Sequence, residues 1–203
     1  MGNGTLVKSF TKSLIKSLNK SFEANSPASS EKVYAIIYGT PTNTDNVWSD
    51  FSNSNYLRIG ESLPADSTEI VIDFTLGTSK SGTQTIFYAG LFALTIYSNY
   101  LGTYDNSASG YKTIIPASDL VVNSHYVVRV VKNDRELSFY YSKDGGDFVN
   151  YLNWTSQNNY LSYILIGKSS TTNRYFRGSV DLNNTYVKVG NKIWFAGDTK
   201  NEE

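Results

Sequence analysis

Residues 175–195 read YFRGSVDLNNTYVKVGNKIWF, and this stretch decides the fold. Val187 and Val189 flank Lys188, the alternation of a strand with one buried face and one wet one. Gly190-Asn191 then separates YVKV from KIWF, and two residues that tolerate positive φ between two such runs make a tight hairpin. Working back along the chain, Leu137, Phe139 and Tyr141 alternate, Val128 and Val130 flank Arg129, and Phe92, Leu94 and Ile96 repeat the pattern. Ile70, Ile72, Phe74 and Leu76 alternate with Glu69, Val71, Asp73 and Thr75. Turn signals separate these runs at GTSKSG (residues 77–82), Asn133-Asp134 and Asp144-Gly145-Gly146. His125 has no partner nearby in sequence and is expected to begin a strand. The pattern predicts an all-β fold, a two-sheet antiparallel β-sandwich of jelly-roll type with roughly ten or more strands.

Composition narrows the chemistry. The chain has 203 residues, 18 basic and 18 acidic side chains, one His and no Cys. Without cysteine there is no disulfide framework, thiolate metal site or cysteine nucleophile. A single imidazole leaves little from which to build a Ser-His-Asp relay or a His-rich metal centre, so no cofactor and no metal are expected. Neutral net charge argues against a nucleic-acid partner. The longest apolar stretch, residues 86–97, is about half the roughly 20 residues a spanning helix needs, and Gly90 interrupts it.

The N-terminus differs in kind. Leu6, Phe10, Leu14, Leu18 and Phe22 recur every fourth residue, while Lys8, Lys12, Lys16 and Lys20 recur in the opposite phase. At 100° per residue these sets fall on opposite halves of a helix. The expected organisation is an amphipathic helical anchor at 1–24, a Ser- and Pro-bearing linker at 25–32, a sandwich domain at 33–198 and a polar tail at 199–203. The apolar face is suited to docking on a larger assembly or to a short bundle that makes the chain a homo-oligomer. Membrane binding is the less favoured use of the four lysines. The constant spacing of four is not the alternating three and four of a long coiled coil.

The stretch at 175–195 resembles the closing strands of laminin-G-like, concanavalin A-like lectin domains, particularly those of tailed-bacteriophage virion proteins. The hairpin VVRVVKNDRELSFYYSKDGGD (residues 127–147) is similar to the strand pair that precedes an Asp-Gly turn in that family. The resemblance implies two curved sheets with ligand-bearing rim loops. It also implies a non-enzymatic virion protein, a head fibre, tail fibre or decoration protein, that docks on capsid or tail proteins through its N-terminal helix and binds host-surface glycans. A purely architectural role is the alternative. Glycosidase relatives carry E-x-D-x-x-E on one strand. Glu69 and Asp73 depart from that spacing and lack the third acid, which counts against hydrolysis.

Two polar, aromatic-bearing loops are the glycan-binding candidates, because aromatic faces stack on sugar rings while amides bond hydroxyls. One is Tyr97, Asn99, Tyr100, Tyr104, Asp105 and Asn106; the other is Trp154, Asn158, Asn159 and Tyr160. Residues 142–148 (SKDGGDF) partly resemble an Asp-box, and their acids and carbonyls are oxygen ligands of the kind calcium takes, but a type I′ hairpin explains Asp144-Gly145 without a ligand.

Overall fold

The computed structural model describes residues 32–202 apart from 91, 98, 105–110, 156–162 and 172. The proposed anchor residues Leu6, Phe10, Leu14, Leu18 and Phe22 therefore lie outside the described residues, as do Asp105, Asn106, Asn158, Asn159 and Tyr160.

Described strands follow in chain order: β1 (Ala35–Tyr38), β2 (Thr42–Thr44), β3 (Val47–Ser49), β4 (Tyr56–Ser62), β5 (Ser67–Thr75), β6 (Gln84–Tyr88), β7 (Ala93–Tyr97) and β8 (Tyr100–Tyr104). The second half supplies β9 (Tyr111–Ile115), β10 (His125–Asn133), β11 (Glu136–Lys143), β12 (Val149–Thr155), β13 (Tyr163–Ile166), β14 (Ser179–Val189), β15 (Lys192–Phe195) and β16 (Thr199–Asn201). They form two sheets. The first runs β16-β1-β4-β13-β6-β7-β8-β9, and the second β12-β11-β10-β5-β14-β3-β2 with β15 paired to β14.

The turn chemistry read from sequence sets the hairpins. Asp134 (φ 53°) turns β10 into β11, and Gly190 (φ 56°) turns β14 into β15. Asp144 (φ 50°) and Gly145 (φ 80°) make a turn of the type I′ kind, closed by Gly146 N donating to Lys143 O at 2.9 Å. His125 begins β10, as its position before an alternating run suggested.

Alternation also decides which faces meet. Ile70, Ile72 and Phe74 of β5, Tyr126, Val128 and Val130 of β10, and Leu137 and Phe139 of β11 are buried. Leu57, Ile59, Leu94, Ile96, Ile164 and Ile166 of the other sheet belong to the same core. Phe92, just before β7, meets Phe139 of β11 edge-on at 5.9 Å, so aromatic packing joins the two sheets. Tyr126 is fully buried, yet its hydroxyl donates to Asp119 O at 2.8 Å and accepts from Val121 N at 2.6 Å. A buried phenol satisfied in this way avoids the cost of an orphaned polar group.

Two expectations are corrected. Residues 199–201, read as part of a polar tail, form β16, which pairs in parallel with β1 (Ala35 opposite Thr199). Three polar residues are too short a run to show a period, so their sequence carries no strand signal. Trp154, expected on a ligand loop, stands opposite Leu137 in β12 and packs half-buried against the core. Leu152 and Trp154 share the inward face at period two, and packing claims the indole.

Candidate functional site

The structure gathers one of the two aromatic clusters. Tyr97 ends β7, Tyr100 begins β8 opposite it, and Tyr104 ends β8 opposite Tyr111 of β9. Their rings form a continuous group. Tyr97 stacks on Tyr111 with centroids 4.5 Å apart and planes within 16°, Tyr104 lies 5.1 Å from Tyr111, and Tyr100 meets Tyr97 edge-on at 6.2 Å. Gly102 between them makes this possible. A Cβ there would sit 3.1 Å from the Tyr100 ring, so the missing side chain leaves the space the ring uses.

Tyr97 and Tyr104 remain 41% and 38% exposed, which is unusual for rings this size unless one end is wet. Burial raises the phenols of Tyr100 and Tyr111 above the ordinary tyrosine value, so both stay neutral hydroxyls at physiological pH. Asn99 is exposed in the turn that joins β7 to β8, next to Tyr97. The patch thus offers outward ring faces, phenolic donors and an adjacent amide. Tyr111 was missed by sequence reasoning, because only the pairing of β8 with β9 brings it beside Tyr97.

A second group covers the outer face of the other sheet. Glu69 Oε1 accepts from Tyr186 OH at 2.7 Å and from Lys188 Nζ at 2.9 Å, while Oε2 accepts from Arg129 Nε at 2.7 Å. Burial pushes this carboxyl up, but the hydrogen bonds from Tyr186, Lys188 and Arg129 outweigh it and hold Glu69 below the usual carboxylate range. Four residues further along β5 on the same face, Asp73 is buried and its Oδ1 lies 2.6 Å from His125 Nε2. Both carboxylates are therefore covered, since neighbouring side chains fold over them. Among the described residues no group of three or more His, Asp and Glu side chains could hold a metal ion.

His125 gives the fold a pH dependence. Its hydrogen bond to Asp73 raises the imidazole above the ordinary value and outweighs the opposing effect of burial. A raised folded-state value stabilises fully below the unfolded value of about 6.5 and is lost as pH rises through the folded one. Melting temperature is thus expected to fall on going from pH 6 into the mildly alkaline range, and His125→Gln to flatten that part of the profile. Parallel profiles for the two proteins would contradict the pairing.

The sheets, their order and the shared core define an all-β, two-sheet sandwich of the jelly-roll kind, a fold it shares with solved laminin G domains. The chain is similar to mouse laminin α1 chain domains LG4-5 at a TM-score of 0.51 and 10% identity, over 83% of this chain and 48% of that one. It is also similar to the heptameric SAP-like pentraxin of Limulus polyphemus (TM-score 0.46, 14% identity, 79% of this chain and 77% of that one). A third is the Ruminococcus gnavus IT-sialidase CBM40 bound to α2,3-sialyllactose (TM-score 0.40, 16% identity, 57% of this chain and 72% of that one). At these identities the likeness concerns the fold alone. No family model matches the chain, and no curated protein matches it.

Proposed function

We propose that this chain is a non-enzymatic attachment and structural protein of a tailed-phage particle, a head fibre, tail fibre or decoration protein, whose sandwich binds host-surface glycans. The observation that carries the glycan reading is the exposed tyrosine group of Tyr97, Tyr100, Tyr104 and Tyr111. Sugar rings present flat C–H faces that rest on aromatic rings, and their hydroxyls pair with phenols and amides. Single contacts of this kind are weak, and many copies on one particle would make them useful. Support for the virion setting is the phrase at 175–195 together with the amphipathic pattern at 1–24. Binding of the intact chain to an array of bacterial surface glycans is the test.

A purely architectural role is favoured by a different observation. Val149 and Tyr151 of the edge strand β12 are 49% and 46% exposed, and Phe148 just before it is 48% exposed. Apolar side chains on an open edge suit another protein surface. A blank array selects this reading.

The anchor has its own test. Light scattering of the intact chain is expected to give an oligomer, and Phe10→Glu with Leu14→Glu to give a monomer, because two charges on the apolar face oppose its burial. An unchanged mass would remove residues 1–24 from self-association and leave docking on another virion protein as their role.

A further inference from the structure

Five strands have a single sheet neighbour among the described residues: β2, β9, β12, β15 and β16. An open edge presents unpaired N–H and C=O groups, and chains blunt it with shortness, a charged side chain, proline or a bulge. Lys112 of β9, Lys192 of β15 and Lys200 of β16 are exposed, and β2 has only three residues. β12 departs from all four. Its seven residues, VNYLNWT, make it the longest of the five, and they include no charge and no proline. One bulge interrupts it: Leu152 stands opposite Phe139 and Asn150 opposite Tyr140, so Tyr151 has no opposite residue. The bulge blunts only the first half of the edge. Beyond it Leu152 and Trp154 pack half-buried against the core, while Asn153 is exposed on the other face.

Charge decides what can lie on this edge. A second copy of the same strand, set antiparallel about a two-fold axis, brings edge residues against their own counterparts, so a lysine near the axis meets a lysine. β9, β15 and β16 repel their own copies in this way, whereas β12 holds no charge to repel its copy. A charged foreign strand would find no opposite charge on β12 to fix it. We propose that β12 pairs antiparallel with β12 of a second copy of this chain, so that the second sheet runs through both. The faces set the register. Leu152 opposite the second copy's Trp154, and Trp154 opposite its Leu152, join apolar to apolar and place Asn153 opposite Asn153. A single strand pair is smaller than the roughly 1,000 Å² of a lasting interface, so it forms where copies are already gathered. The pairing therefore rests on the self-association proposed for residues 1–24, and it names what the open β12 edge meets in that assembly.

The chain has no cysteine, so one introduced thiol reports on one position. Asn153→Cys on β12, Asn43→Cys on β2 and Glu61→Cys on β4 all replace exposed residues, and each intact variant is treated with a short bis-maleimide. Asn153→Cys is expected to give covalent dimer about 10-fold or more faster than the other two, because pairing holds its two thiols together. In a second arm, amide hydrogen exchange at Leu152–Thr155 should be about 10-fold or more slower in the intact chain than in Asn153→Lys, which sets two like charges opposite each other. Melting temperature confirms that the lysine variant keeps its fold. Equal crosslinking at the three positions, or equal exchange in the two proteins, would overturn the pairing. Light scattering reads the anchor separately. An oligomer whose Asn153→Cys reacts no faster than the other two overturns the edge pairing and leaves the anchor standing. A monomeric intact chain overturns the self-association of residues 1–24, and slow reaction of Asn153→Cys in it overturns the pairing as well.

Discussion

Phe74→Ala is expected to lower the unfolding free energy by about 3–5 kcal/mol, the cost of removing a large ring from a core that cannot collapse around the gap. Phe74 is fully buried in β5, which lies between β10 and β14 in the second sheet. Its ring stacks on Tyr126 at 5.5 Å and meets Phe176 edge-on at 5.8 Å. Truncation therefore opens a cavity and frees two further aromatics at once. Phe74→Leu keeps much of the volume and should cost roughly 1–2 kcal/mol. Denaturant unfolding of the three proteins checks this, and a loss under about 1 kcal/mol for the alanine variant would contradict the packing described.

Glu69→Ala is the second large effect, at about 2–4 kcal/mol. The carboxylate is only 13% exposed and is the shared acceptor of Arg129, Lys188 and Tyr186, which come from both neighbouring strands. Alanine leaves two cations side by side without their counter-charge, and the repulsion adds to the lost hydrogen bonds. Glu69→Gln retains an acceptor and should recover part of the loss. A lowered carboxyl stabilises above its unfolded value and loses that contribution as pH falls through the folded one. The wild type should therefore lose stability in acid more steeply than Glu69→Gln. Equal acid profiles would show that the network carries no stability.

The fold was legible where its signals are local. Alternation in β5, β10, β11 and β14 lies within single strands, and Asp134, Asp144-Gly145 and Gly190 announce their own turns. β2, with its three exposed residues, and the parallel partner β16 carry no such pattern, because pairing alone makes them strands. The site was half legible. Tyr97, Tyr100 and Tyr104 lie close in sequence, whereas Tyr111 joins them only through the register of β8 and β9. Trp154 misled because its polar neighbours resemble a loop, while the period-two match with Leu152 pointed inward. His125 and Asp73 stand 52 positions apart, and their pairing could not be read without the sheet order.

The proposed binding of carbohydrate by the tyrosine face is measured by comparing the intact chain with its Tyr97→Ala, Tyr111→Ala variant on one glycan array, followed by affinities for the glycans that bind. Removing the two rings that stack on each other at the centre of the group should weaken binding by roughly 10-fold or more at unchanged thermal stability of the core. Binding of equal strength in both proteins, or none by the intact chain, would contradict it.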